Sequence, residues 1–355
     1  MRRTPWVVVG TVFATTLLVP NVLSFAAPAA PAAAGSSAAV PSHRVAVADR
    51  VVHPHPSVAH RAVRSVSTVG SQPAASAQPA AVAVPKYDAN HLMVLSYHAT
   101  PTPQSTPPAT NPYWTDSAHL ANQFAMLKSL GYTSVTVAQV VAWQGHHATL
   151  PSRPVLITFD DGNANNWTVA DPILAAYHFT AVEFVITGLV DTPGFLTWTQ
   201  IEAMHASGRW DLEDHTRIAH LGVPIDAAGD LGAGLLNRAY LPLPPSLIRH
   251  NHWYFETLAQ AETRVRADLV GSVNDLMSHG LPLPLAFAYP GSRYLGPSND
   301  SRLVTYTNYL LSHTMFPLRF SNLLPLPATA SFAIQPRLEV HWNPTGATLR
   351  AELGA

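Results

Sequence analysis

Val155-Leu156-Ile157-Thr158-Phe159-Asp160-Asp161-Gly162 is the stretch on which the rest of the chain turns. Val155 to Phe159 is an apolar, strand-forming run, and its length predicts a buried strand. It ends abruptly in two carboxylates, at the C-terminal strand end where parallel α/β folds place their chemistry. Adjacent carboxylates repel each other and gain nothing from an apolar core. Gly162 permits a tight turn. A polar turn closing a strand is the plainer reading, because Asp-Gly is a common turn pair. A second stretch argues for chemistry: Asp214-His215-Thr216-Arg217-Ile218-Ala219-His220. Two histidines around a short turn, downstream of an Asp pair, offer the nitrogen and oxygen ligands of a divalent metal such as zinc.

Composition narrows the function classes. Of 355 residues only 12% are charged, and the formal net charge is −1. No basic field exists to hold nucleic acid. The chain has no cysteine, which excludes disulfides, thiolate metal sites and cysteine nucleophiles. A short basic start, Met1 to Pro5, precedes the apolar run Trp6 to Phe25. Residues 1–26 therefore resemble a signal peptide, with an uncleaved membrane anchor as the rival. Either places the remainder outside the cytoplasm, secreted or in the cell envelope. Residues 27–86 are rich in Ala, Pro and Ser without sustained periodicity, as expected of a flexible linker.

From Tyr87 onward strand and helix patterns alternate. Strands are expected at His91–Tyr97, Ser134–Val137, Val155–Phe159, Ala181–Ile186, Trp210–Glu213, Leu285–Tyr289 and Pro336–Val340. Between them, helical spacing marks Ser117–Leu130, Val137–Trp143, Pro172–Tyr177, Trp198–Ser207, Glu256–His279 and Leu303–Ser312. Residues 221–252 form a long irregular insertion. The alternation argues an α/β fold with a parallel sheet, open or closed, over 87–345, followed by a short tail at 346–355.

Thr158-Phe159-Asp160-Asp161-Gly162 together with His215-Thr216-x-x-x-His220 resembles the NodB-homology polysaccharide deacetylases, carbohydrate esterase family 4. Many members separate the histidines by four. The spacing of five here is similar to the poly-N-acetylglucosamine deacetylase branch. So are Ser96-Tyr97-His98, Asn237-Arg238-Ala239-Tyr240-Leu241, the run Glu262 to Leu269 followed by Ser272, and Phe287-Ala288-Tyr289-Pro290-Gly291. The resemblance implies a distorted (β/α) barrel with its site at the C-terminal strand ends. It implies Asp161, His215 and His220 as ligands of a divalent metal (zinc, with cobalt or nickel as alternatives) and Asp160 as general base. His98 is the implied general acid, with His341 as runner-up. Tyr97, Tyr289, Pro290 and Gly291 are the candidate substrate contacts, though either tyrosine could equally be core. Two features depart from the branch. Tyr289-Pro290-Gly291 lacks an aromatic residue between proline and glycine, and Arg217-Ile218-Ala219 fills the histidine turn unusually. The implied activity is removal of N-acetyl groups from a glycan by a monomer. The alternatives are an O-acetyl esterase using the same site and a non-catalytic glycan-binding envelope protein.

Overall fold

The computed structural model describes residues 87–102, 112–242, 253–324, 327–340 and 345–352. The expected signal or anchor segment and the linker lie outside the described residues. Among the described residues no helix is long and apolar enough to cross a membrane.

The elements follow in order β1 (Met93–Tyr97), α1 (Ser117–Ser129), β2 (Thr133–Ser134), α2 (Val137–Gln144), β3 (Pro154–Asp161), α3 (Asp171–Tyr177), β4 (Ala181–Val185), α4 (Trp198–Ala206) and β5 (Trp210–Asp214). Four short strands then occupy the insertion: β6 (Val223–Pro224), β7 (Leu231–Gly232), β8 (Tyr240–Pro242) and β9 (Trp253–Phe255). The chain continues through α5 (Leu258–Ser278), β10 (Ala286–Ala288), α6 (Ser301–Leu310), β11 (Leu318–Ser321), β12 (Gln335–Pro336), β13 (Leu338–Glu339) and α7 (Gly346–Glu352).

The main sheet runs β12-β11-β10-β5-β4-β3-β1-β13, with β2 added beside β3, and its pairings are parallel. This is a nearly closed parallel barrel wrapped by helices. The first and last strands of the path, β12 and β13, are separated in sequence only by Arg337, so the chain itself crosses the seam.

Period-two alternation decides which side chains enter the barrel. Val94, Leu156, Val182, Phe184, Ala286, Ala288, Leu318 and Phe320 cluster inside. Their neighbours Met93, Leu95, Tyr97, Val155, Ile157 and Phe159 point outward and pack beneath helices, with Leu120, Phe124 and Leu127 of α1 among them. Continuing the inward rows by four residues, past Ser96 and Thr158, brings His98 just beyond β1 and Asp160 on β3 to the upper mouth. Helix starts follow a recurring local signal. Thr136, Thr197 and Thr257 each cap a helix and form reciprocal boxes with Gln139, Gln200 and Gln260.

Two expectations change, and one strand was not expected at all. The single final strand at Pro336–Val340 is two strands, because the chain steps across the seam at Arg337. Strand β11 carries Arg319 between apolar residues in a four-residue run, too short and too polar to stand out by periodicity, yet it is buried and pairs with β10. The residues read as a tail begin with α7, which docks on α1. Gly346 N–H donates to Asn122 Oδ1 at 2.8 Å, and Leu349 lies fully buried in the core. The ordered domain therefore extends to Glu352. Leu349→Ala is expected to cost about 2–5 kcal/mol by loss of buried side chain and the cavity left behind. Urea denaturation measures this, and an unchanged midpoint would return α7 to the status of a tail.

Candidate metal and catalytic site

Strand β3 continues through both aspartates, and their side chains part company. Asp160 points into the barrel and is only 3% exposed. Arg337, at the seam, reaches across to it. Nη1 and Nη2 donate to Asp160 Oδ1 and Oδ2, both at 2.7 Å, and Nη1 also donates to Thr158 Oγ1 at 3.2 Å. The guanidinium lies 5.6 Å from the Phe184 ring centroid. Burial alone would raise the Asp160 carboxyl. The fork of Arg337 outweighs burial and holds it well below the usual carboxylate range.

Asp161 turns the other way, with φ at 81°, a left-handed conformation uncommon outside glycine. Gly162 follows at the same φ, where a side chain would be strained. Behind the turn, Glu183 accepts from Gly162 N at 2.9 Å and from Asn166 Nδ2 at 3.0 Å. Burial pushes this carboxyl well above its ordinary range, while the two donors oppose that shift.

The two histidines converge on Asp161. His215 Nε2 is 3.7 Å and His220 Nε2 3.4 Å from Asp161 Oδ1, and ligand atoms of all three lie within 4.8 Å of one another. His215 Nδ1 lies 2.8 Å from the Ala288 carbonyl oxygen, so Nδ1 carries the proton and Nε2 keeps its lone pair toward Asp161. Burial pushes the His215 imidazole down to about 4, so it is neutral at neutral pH. Asp161 Oδ1 is buried and has no hydrogen-bond partner. An orphaned carboxylate oxygen facing two imidazole nitrogens fits a divalent cation of nitrogen and oxygen preference.

The other candidate residues divide. His98 stands at the mouth just after Tyr97, whose register partner Phe159 precedes Asp160, with its ring 5.3 Å from that of Tyr113. Its Nδ1 is buried without a partner. His341 lies outside the described residues. Tyr97 is not a substrate contact: it points outward, is fully buried, stacks on Phe159 and donates to Gln123 Oε1 at 2.7 Å. Tyr289 is likewise core, 1% exposed and hydrogen-bonded to Asn308. Pro290 is buried beside it, while Gly291 forms an exposed turn. This segment serves the site through the Ala288 carbonyl. Thr216 stabilises the histidine turn, since its Oγ1 accepts from His220 N at 3.1 Å. Sequence reasoning missed Arg337 altogether. Its only signal was a lone basic residue inside a strand-like stretch.

The polysaccharide deacetylase family model matches residues 147–307. That stretch is similar to a polysaccharide deacetylase domain. It contains Asp160, Asp161, His215 and His220; His98 and Arg337 flank it. A poly-β-1,6-N-acetyl-D-glucosamine N-deacetylase of Escherichia coli (strain K12) is 31% identical over 186 residues, 48% of this chain and 26% of the relative. The Staphylococcus epidermidis enzyme of the same name is 26% identical over 149 residues, 38% of this chain and 51% of that protein. The chain thus spans about a quarter to a half of these relatives. Among solved structures, a de-N-acetylase from Aggregatibacter actinomycetemcomitans superposes with a TM-score of 0.60 at 22% identity, covering 74% of this chain and 99% of that one. IcaB from Ammonifex degensii gives 0.56 at 24% identity, covering 76% and 99%. These identities speak to the fold.

The Arg337–Asp160 pair makes a pH-dependent prediction. The folded pKa of Asp160 lies below its unfolded value of about 3.9. The pair therefore stabilises the fold fully above that value and loses its contribution as pH falls through the folded pKa. In Arg337→Gln, burial is no longer opposed, the folded pKa rises above the unfolded one, and the sign reverses. The variant is expected to lose about 3–5 kcal/mol near neutrality. The deficit should narrow on acidification to about pH 5, because only the variant's Asp160 gains from protonation there. Urea denaturation of both proteins at two pH values measures it. A deficit independent of pH would mean that Arg337 does not govern Asp160.

Proposed function

We propose that this domain is a metal-dependent hydrolase that removes N-acetyl groups from an extracellular or cell-wall glycan, a polymer of N-acetylglucosamine in the first instance. The observation that carries the proposal is one mouth of the barrel holding an orphaned carboxylate oxygen facing two imidazoles, next to a second carboxylate kept ionised by Arg337. A binding module has no use for a free base beside a cation site. Similarity to poly-β-1,6-N-acetyl-D-glucosamine N-deacetylases directs the choice of polymer.

Asp161, His215 and His220 would hold the ion, with zinc, cobalt or nickel matching the donor set. Such an ion, when bound, supplies Lewis acidity to a water and to the acetamide carbonyl. The chain's own residues do the rest. Asp160 accepts a proton from the attacking water. Its low pKa keeps it charged, and Arg337 fixes the plane of its carboxylate through two parallel hydrogen bonds. His98, just beyond the neighbouring strand β1, delivers a proton to the departing amine nitrogen. The domain acts outside the cytoplasm, delivered or anchored by residues 1–26, and works as a monomer.

Acetate release from β-1,6-linked N-acetylglucosamine oligomers, with and without chelator, tests the reaction. Chelator should abolish release, and Asp160→Asn should lower it about 10²–10⁴-fold. If metal binds but no N-acetylglucosamine polymer or peptidoglycan yields acetate, the deacetylase reading fails. Turnover of O-acetylated xylan alone would favour the esterase alternative.

The role of His98 has its own signature. An amine leaving group needs a proton, whereas a phenolate leaves without one. His98→Ala should therefore impair deacetylation of the glycan strongly and hydrolysis of an activated aryl acetate by no more than about tenfold. Equal losses on both substrates would remove His98 from the acid role.

A further inference from the structure

The turn between the two histidines is held by one carboxylate that touches neither of them. Asp268, on α5, accepts the backbone N–H of Arg217 on Oδ1 at 3.0 Å. Its Oδ2 accepts those of Ile218 at 2.9 Å and Ala219 at 3.0 Å. These are the three residues between Thr216 and His220. Their amides converge on Asp268 as they would around a bound anion.

The same helix continues the grip. Ser272, one turn along, donates to Asp214 Oδ2 at 2.5 Å, and Asp214 Oδ1 accepts from Thr216 N at 2.7 Å. Asp275 then accepts from Arg217 Nε and from Thr187 Oγ1, both at 2.9 Å. Residues 268, 272 and 275 lie on one face of a helix. From the opposite side, Gly188 N donates to Arg217 O at 2.9 Å. A Cβ at Gly188 would stand only 2.6 Å from that oxygen, so the two backbones meet where no side chain fits. Within the turn Thr216 has φ at 76°, a strained state for a β-branched residue. Such a state persists only where its surroundings over-determine it.

The structure assigns to Asp268 the role of a positioning residue for metal binding: it shapes the turn so that His215 and His220 reach one ion together. This rests on the reading of Asp161, His215 and His220 as ligands. The three intervening residues present three amides to one buried carboxylate, Asp268 at 8% exposure, and without that acceptor the buried Ala219 N–H in particular would be left unpaired at a cost. Asp268 satisfies all three, with Ser272 supporting it through Asp214.

The test uses the full chain, stripped of metal and titrated with cobalt(II) against a competing chelator. Asp268→Asn keeps the size but turns an amide N–H toward the backbone donors. It should weaken cobalt affinity about 10–100-fold, the range for loss of an outer partner of a ligand. The cobalt absorption band should also change in position or intensity. Ser272→Ala, a milder change, should weaken affinity a few-fold in the same direction, and it decides the matter if Asp268→Asn does not fold. Wild-type affinity and an unaltered band in Asp268→Asn would overturn the inference, even with a lowered melting temperature, because Asp268 would then merely stabilise the fold. Wild-type affinity in Ser272→Ala would overturn the supporting role of Ser272. A wild-type chain that binds no stoichiometric cobalt, or a His220→Ala variant that binds it undiminished, would overturn the metal reading itself.

Discussion

The buried pair of Asp160 and Arg337 is the constraint on which the site depends. A carboxylate at 3% exposure cannot stay charged in an apolar barrel without a partner, and the role of base proposed for Asp160 requires that charge. Arg337 resolves the conflict with two parallel hydrogen bonds and a position over the Phe184 ring. The neighbouring groups then sort by environment. His215 is driven to its neutral form by burial, and Glu183 is driven toward its protonated form. Charge within the mouth is thereby limited to groups with a stated partner or a fit to a cation.

The barrel supplies this arrangement through its topology. The sheet path ends at β12 on one side and β13 on the other, and Arg337 is the single residue between them. The seam is closed by the chain crossing it, with the side chain of the crossing residue turned onto Asp160. Helix α5 does comparable service for the histidines. Its inward face carries Asp268, Ser272 and Asp275 beside the apolar Leu269 and Leu276.

Much of this was legible in the sequence, for reasons that can be named. Alternating periodicities located most of the strands and helices, because a parallel strand buried on both faces reads as an apolar run and a covering helix as a stripe. The convergence of Asp161, His215 and His220 could be anticipated because the Asp pair and the spaced histidines occur together, whereas the Asp pair alone reads equally as a turn. Arg337 could not. Its partner lies 177 residues away, and no local pattern encodes a contact of that separation. Tyr97 and Tyr289 were left open between substrate contact and core because an aromatic beside a motif residue can face either side, and here both are packed beneath helices. Leu349 was lost because seven residues of helix after a proline-containing segment carry too short a pattern to distinguish docking from fraying.

The length of that Asp160–Arg337 separation bears on how the molecule comes into being. A chain made from its N-terminus presents β3 long before Arg337 exists. Domains tend to form as units once their sequence is complete, and distant contacts form slowly. Until Arg337 arrives, Asp160 has no cation to hold it ionised in an apolar surround, and the half-made barrel gains little by closing over it. A chain truncated before residue 337 would keep Asp161, His215 and His220 and still lack the one guanidinium that grips Asp160.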